Sequence, residues 1–119
     1  MQAAERDYSH RAFDSCVSCA YFAAFQAAIA ALLALAAYRR RGHYWDHGEV
    51  AAEFTRRLIR QRKIFASELA STLDDLKTRR HQADYSTVSM SDKVAQRMLD
   101  KARKLVRLIE ATLESAGGK

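Results

Sequence analysis

The sequence predicts an all-α protein, an up-and-down four-helix bundle, and three observations lead there. The 119 residues contain no proline and only four glycines, which leaves little material for the turns a sheet needs. Residues 16–38 hold ten alanines among 23, a composition that favours helix. Along the rest of the chain, apolar residues recur at three- and four-residue spacing between short polar stretches. A chain of this length that is 49% hydrophobic and 29% charged can bury one core, so residues 1–119 read as a single domain.

The first helix covers CVSCAYFAAFQAAIAALLALAAY, residues 16–38, with Phe22, Phe25, Ile29, Leu32 and Ala36 as its apolar stripe. It is long enough to cross a bilayer, and Arg39, Arg40 and Arg41 follow it. Alanine adds little to membrane insertion, however, and the preceding MQAAERDYSHRAFDS carries mixed charge instead of a basic leader. The expectation is a soluble, cytoplasmic protein with this helix at the centre of the bundle and no membrane partner. Cys16 and Cys19 lie three apart on the same helix, without the further ligands of a zinc site or the βαβ setting of a redox pair. They are expected to pack as small apolar residues in a reducing compartment.

Asp46 and Glu49 have capping-box spacing and open the second helix. Its core face is Val50, Phe54 and Leu58, and the polar run RQRK at 60–63 lies near its end. Ser67 caps the third helix, which buries Leu69, Leu73, Leu76 and Ala83 and carries Arg79 and Arg80 in its last turn, where positive charge complements the macrodipole. Ser89 or Ser91 opens the fourth, whose stripe is Val94, Met98, Ala102, Leu105, Ile109 and Leu113 and which ends at Gly117 and Gly118.

A net charge of +6 and a pI near 9.6 suit an anionic partner such as RNA, a nucleotide or an acidic protein. The last helix carries Lys93, Arg97, Lys101, Arg103, Lys104 and Arg107, but no aromatic platform is interleaved among them, so they read as a solvated face. His43 and His47, beside Asp46 and Glu49, would make a metal site only if residues 42–48 were helical. Two glycines and the cap make that stretch a loop, in which His47 fixes the chain by hydrogen bonding while Tyr44 and Trp45 cover the bundle end. No metal and no cofactor is expected. RRHQADY at 79–85 is the remaining chemistry: arginine can clamp a phosphate and histidine can move protons near neutral pH, unless the stretch is simply a charged helix end.

Three segments in register resemble the HEPN domain family (higher eukaryotes and prokaryotes nucleotide-binding), in particular its small stand-alone prokaryotic members. AYFAAFQAAIAALLA at 20–34 is similar to that group's Ala-Tyr-Tyr-Ala-x-Phe helix ending in Ala-Leu-Leu. HGEVAAEF at 47–54 is similar to its His-x-Gly-x-x-x-x-Phe turn, and RHQADY at 80–85 to its Arg-x-x-Ala-Asp-Tyr signature. The resemblance covers roughly residues 6–115. It implies a four-helix bundle, a homodimer, and frequent association with a minimal nucleotidyltransferase in toxin–antitoxin pairs. Some relatives are metal-independent endoribonucleases in which an Arg is followed four to six residues later by a His, and two copies of the pair face each other across the dimer.

Asp84 stands where those nucleases carry the His, and Cys19 where the family commonly has an Arg; set against the family, much of the usual N-terminal helix is expected to be lacking. An ordinary Asp is poorly suited to donate a proton at pH 7. His81 is one helical step, about 100°, from Arg80. Arg41 and His47 satisfy the bare spacing but lie across a turn, and the match reads as chance. The resemblance therefore implies an RNA-, nucleotide- or protein-binding module with a degenerate nuclease motif. Its binding residues are Arg80, Asp84, Tyr85 and His47, with Arg80, Asp84 and Tyr85 in one polar cluster. The alternative is an endoribonuclease toxin that uses Arg80 and His81 at a dimer interface, which makes Arg79, Arg80, His81 and Asp84 the catalytic candidates.

Overall fold

Helices account for all regular structure among the described residues, which in this computed structural model are 1–39, 42, 44–85 and 89–117. In order they are α1 (Gln2–Ser9), α2 (Phe13–Leu35), α3 (His47–Glu53), α4 (Thr72–Tyr85) and α5 (Asp92–Gly117). A π-helical stretch (Phe54–Gln61) continues α3, and a 3₁₀ turn (Ser67–Ser71) leads into α4. The expected all-α bundle is present, with α3 and its π-helical extension as one arm. α1 is an additional helix. It has little apolar surface, burying only Ala4, and polar bonds tie it to α5: Arg103 to Glu5 at 2.8 Å and the Tyr8 hydroxyl to Asp92 at 2.6 Å.

α2 occupies the centre, against α5, α4 and α1. It begins at Phe13 rather than Cys16 and stops at Leu35 rather than Tyr38. The stop is local: Ala37 takes the left-handed region at φ 51°, and the Tyr38 N–H turns back to the Leu32 carbonyl at 3.0 Å. The Tyr38 ring then folds inward, where its hydroxyl donates to Glu49. The buried face of α2 also differs from the expected stripe. It runs through Val17, Ala20, Tyr21, Ala24, Ala28, Ala31 and Leu32, while Phe25 and Ile29 are half-buried and Phe22 is 46% exposed. Small side chains let the neighbouring helices approach closely, so the alanines face inward and the bulky rings flank them. By length and composition α2 could cross a membrane, and in the bundle its alanine face is packed by protein.

Asp46 caps α3 as its spacing requires, its carboxylate accepting from the Glu49 N–H at 2.9 Å. Val50, Phe54 and Leu58 are buried as expected. Ser67, in contrast, makes no capping bond: the segment enters as 3₁₀, and the Leu69 N–H is satisfied by the Ala66 carbonyl at 3.0 Å. For α5 the cap is Ser91, which accepts from the Val94 N–H at 3.2 Å. The Met90 N–H donates to Asp14 at 2.7 Å and pins the entry of α5 to the start of α2. Met98, Ala102, Leu105 and Ile109 are buried, whereas Val94, Leu113 and, on α4, Ala83 are only half-buried. Trp45 packs on the core, but Tyr44 stands 85% exposed, so Trp45 alone covers that end. Arg40, Arg41, His43 and Gly118 lie outside the described residues, and with them the proposed metal loop and the Arg41 spacing.

Candidate functional site

The three motif segments meet at one place, and the spacing on each helix explains how. On α2, Ser18, Tyr21, Phe22 and Phe25 share a face because they are three and four residues apart. On α4, Arg80 and Asp84 are one turn apart. His47 is the first residue of α3, fixed by the Asp46 cap just before it.

Arg80 is held by ring faces and by a carboxylate. Its guanidinium lies 4.5 Å from the centre of the Phe22 ring and 5.2 Å from that of Tyr21, both within cation–π range. Its Nε is 3.3 Å from Asp84 Oδ2, close enough for an ion pair. The angle does not make a hydrogen bond, so this buried N–H has no hydrogen-bond acceptor. Asp84 is fixed from the other side by Ser18, whose hydroxyl donates to Oδ1 at 3.0 Å.

His47 sits behind Tyr21. The Tyr21 hydroxyl lies 2.5 Å from His47 Nδ1, and the imidazole stacks on the Phe25 ring at 5.8 Å. Burial raises the Tyr21 phenol above its ordinary value, partly opposed by Arg80, so it keeps its proton. Burial, reinforced by Lys77, lowers the His47 pKa and outweighs Asp74 and Asp46, which push the other way. Nε2 comes within 3.5 Å of Asp74 Oδ1, yet it too is buried without a hydrogen bond. Charge proximity without hydrogen-bond geometry is the better description of that contact. Tyr21 thus touches both Arg80 and His47 and joins the two motif ends.

The remaining expected residues point elsewhere. Arg79 donates to Gln82 at 3.0 Å and lines a separate groove between α4 and α5. His81 is exposed and rests on the Tyr85 ring at 4.7 Å, and Tyr85 is itself 77% exposed. Arg80 and Asp84 therefore cluster without Tyr85, because the next residue along a helix projects about 100° away. Ser18, Tyr21, Phe22 and Asp74 are site residues that motif reading did not single out. The first three were available from their i, i+3, i+4 spacing, and Asp74 only from tertiary structure. No group of three His, Cys, Asp or Glu among the described residues could hold a metal. Cys16 is buried, and the Cys19 thiol donates to Asp7 at 3.6 Å.

A family model described as HEPN domain matches residues 1–112. The chain belongs to the HEPN domain family. Tyr21, His47, Arg80 and Asp84 all fall within the matched span, so the cluster is part of the HEPN unit rather than an addition to it. Membership makes the protein a nucleotide- or RNA-related module of the HEPN superfamily. No curated protein and no solved structure matches the chain.

Proposed function

We propose that this HEPN protein is an RNA- or nucleotide-binding regulatory module of a toxin–antitoxin or nucleotidyltransferase-associated system. It works as a cytoplasmic homodimer, holds a phosphate through Arg80, and carries a degenerate nuclease motif. One observation carries this reading: Arg80 is pre-positioned over two rings with its side chain 35% exposed, and among the described residues no imidazole hydrogen-bonds to it. The Nε–H is closed to solvent, so a phosphate oxygen would meet the exposed part of the guanidinium, held in place by the rings and Asp84.

Cleavage of RNA by its own 2′-hydroxyl needs one group that accepts a proton and another that donates one to the leaving oxygen near pH 7. Asp84 is occupied by Ser18 and Arg80 and is the wrong type of group for the acid role. His81 rests on Tyr85, and among the described residues the His47 side chain hydrogen-bonds to Tyr21 alone. Binding therefore remains and cleavage does not. The dimer is supported by α2, where Phe22 and Leu33 are 46% and 48% exposed on one face. A second copy seated on that face would bring its own Arg80 to the same interface, because Arg80 lies on Phe22.

The test compares wild type, Arg80→Ala and His81→Ala on mixed RNA with EDTA present. The expected result is salt-sensitive binding that Arg80→Ala removes, with intact RNA in every lane. Robust cleavage lost in both variants would establish the endoribonuclease with Arg80 and His81 instead.

A further inference from the structure

A groove of about 610 Å³ runs between the π-helical stretch and the α3 start on one side and the 3₁₀ turn and α4 start on the other. That is within the roughly 300–1,000 Å³ usual for small-ligand sites. Its walls carry Thr55, Arg56, Arg60, Ser71 and Asp74, and small residues such as Ala51 and Gly48 form the rest. Both guanidinium groups and two hydroxyls face one lining carboxylate, and because Glu53 holds Arg56, Arg60 is the cation left to meet an anion. No aromatic ring lines it, so nothing there would stack a base, and the chemistry selected is phosphate.

The backbone explains why these groups converge. In a π-helix the hydrogen bond spans five residues, so Thr55 and Arg60 come into line as they would not in an α-helix, and Arg56 lies beside them. Such turns concentrate at functional sites. Arg56 Nη2 donates to both carboxylate oxygens of Glu53, at 2.8 and 3.1 Å. Arg60 is exposed, and its side chain has no ion pair or hydrogen bond among the described residues. The groove also abuts the first site, because Asp74 lines it and stands 3.5 Å from the unsatisfied Nε2 of His47.

We propose that this groove is a second phosphate subsite, with Arg60 as its principal contact and Arg56, Thr55 and Ser71 around it. It takes a phosphate of the RNA strand, or of the nucleotide polyphosphate, that the protein binds. It rests on the proposal above only in taking the ligand to be phosphate-bearing, since its cations are distinct from Arg80 and Asp74 alone borders both.

The full chain is titrated, in EDTA, with a labelled oligouridine, with ATP and with inorganic pyrophosphate. Wild type is compared with Arg60→Ala, Arg60→Lys and Arg80→Ala. Arg60→Ala should weaken binding about tenfold and lower the salt dependence of RNA affinity by about 0.7 in log–log slope, the loss of one single-strand phosphate contact, while Arg60→Lys retains that slope. Loss for RNA alone identifies a strand, and loss for all three probes a nucleotide polyphosphate. Arg60→Ala binding every probe as wild type does would overturn the subsite, and if Arg80→Ala still loses binding the first reading stands without it. Loss with Arg60→Ala but not with Arg80→Ala would support the groove and remove the Arg80 reading. Wild type binding none of the probes would remove both.

Discussion

Arg80 spans two ring faces and one carboxylate, and half of that arrangement was legible in the chain. The one-turn spacing to Asp84 is a helix rule, and the pair forms at 3.3 Å. The rings beneath it and His47 behind Tyr21 were not legible, because they come from helices whose mutual packing no local pattern specifies. His47 has a measurable consequence of its own. Its pKa is depressed by burial, so the unfolded chain binds a proton at a pH where the folded chain does not. The stability this contributes is fully present above the ordinary histidine value of 6.5 and is lost as the pH falls through the lower folded value. Urea unfolding between pH 7.5 and 5 should therefore show wild type weakening more steeply than His47→Gln. Equal slopes for the two proteins would mean that His47 is not buried as a neutral ring.

At the scale of the element, α2 shows why a hydrophobicity stripe can miss a core. Phe22 and Phe25 outrank alanine in any transfer scale, yet helices pack closest along small side chains, and Ala24, Ala28 and Ala31 are fully buried. Overpacking should consequently hurt more than the conservative chemistry suggests. Ala28→Leu is expected to cost roughly 1–3 kcal/mol in chemical denaturation, with the bundle pushed apart. Helix ends were obscured for a related reason. The left-handed positions after α1, α2 and the π-helical stretch are Arg11, Ala37 and Lys63, with φ of 60°, 51° and 52°, where glycine would have announced the turn. The π-helical stretch itself leaves no composition signal, so the groove beside it was invisible in the sequence. Asp46 and Ser91, by contrast, were readable as caps because the bond they make is local.

The whole molecule was the most legible level, since the absence of proline, the scarcity of glycine and the periodic apolar residues dictate a helical bundle. The exposed Phe22 and Leu33 on α2 predict a homodimer at micromolar concentration, and Leu33→Lys, which buries charge in that contact without touching Arg80, should yield a monomer in light scattering. A variant that scatters as wild type does would place the interface elsewhere. Within such an assembly, +6 of net charge would draw phosphate-bearing ligands toward the surface, and the proposed phosphate contact at Arg80 would give that attraction an address. The arginine Nε–H resonances of the full chain, followed by NMR while a short RNA is added in EDTA, test this most directly. Arg80 should respond at the lowest additions and its Nε–H become slower to exchange, with the RNA recovered at full length. An Arg80 resonance that stays fixed while RNA binds, or RNA recovered as fragments, would contradict the account.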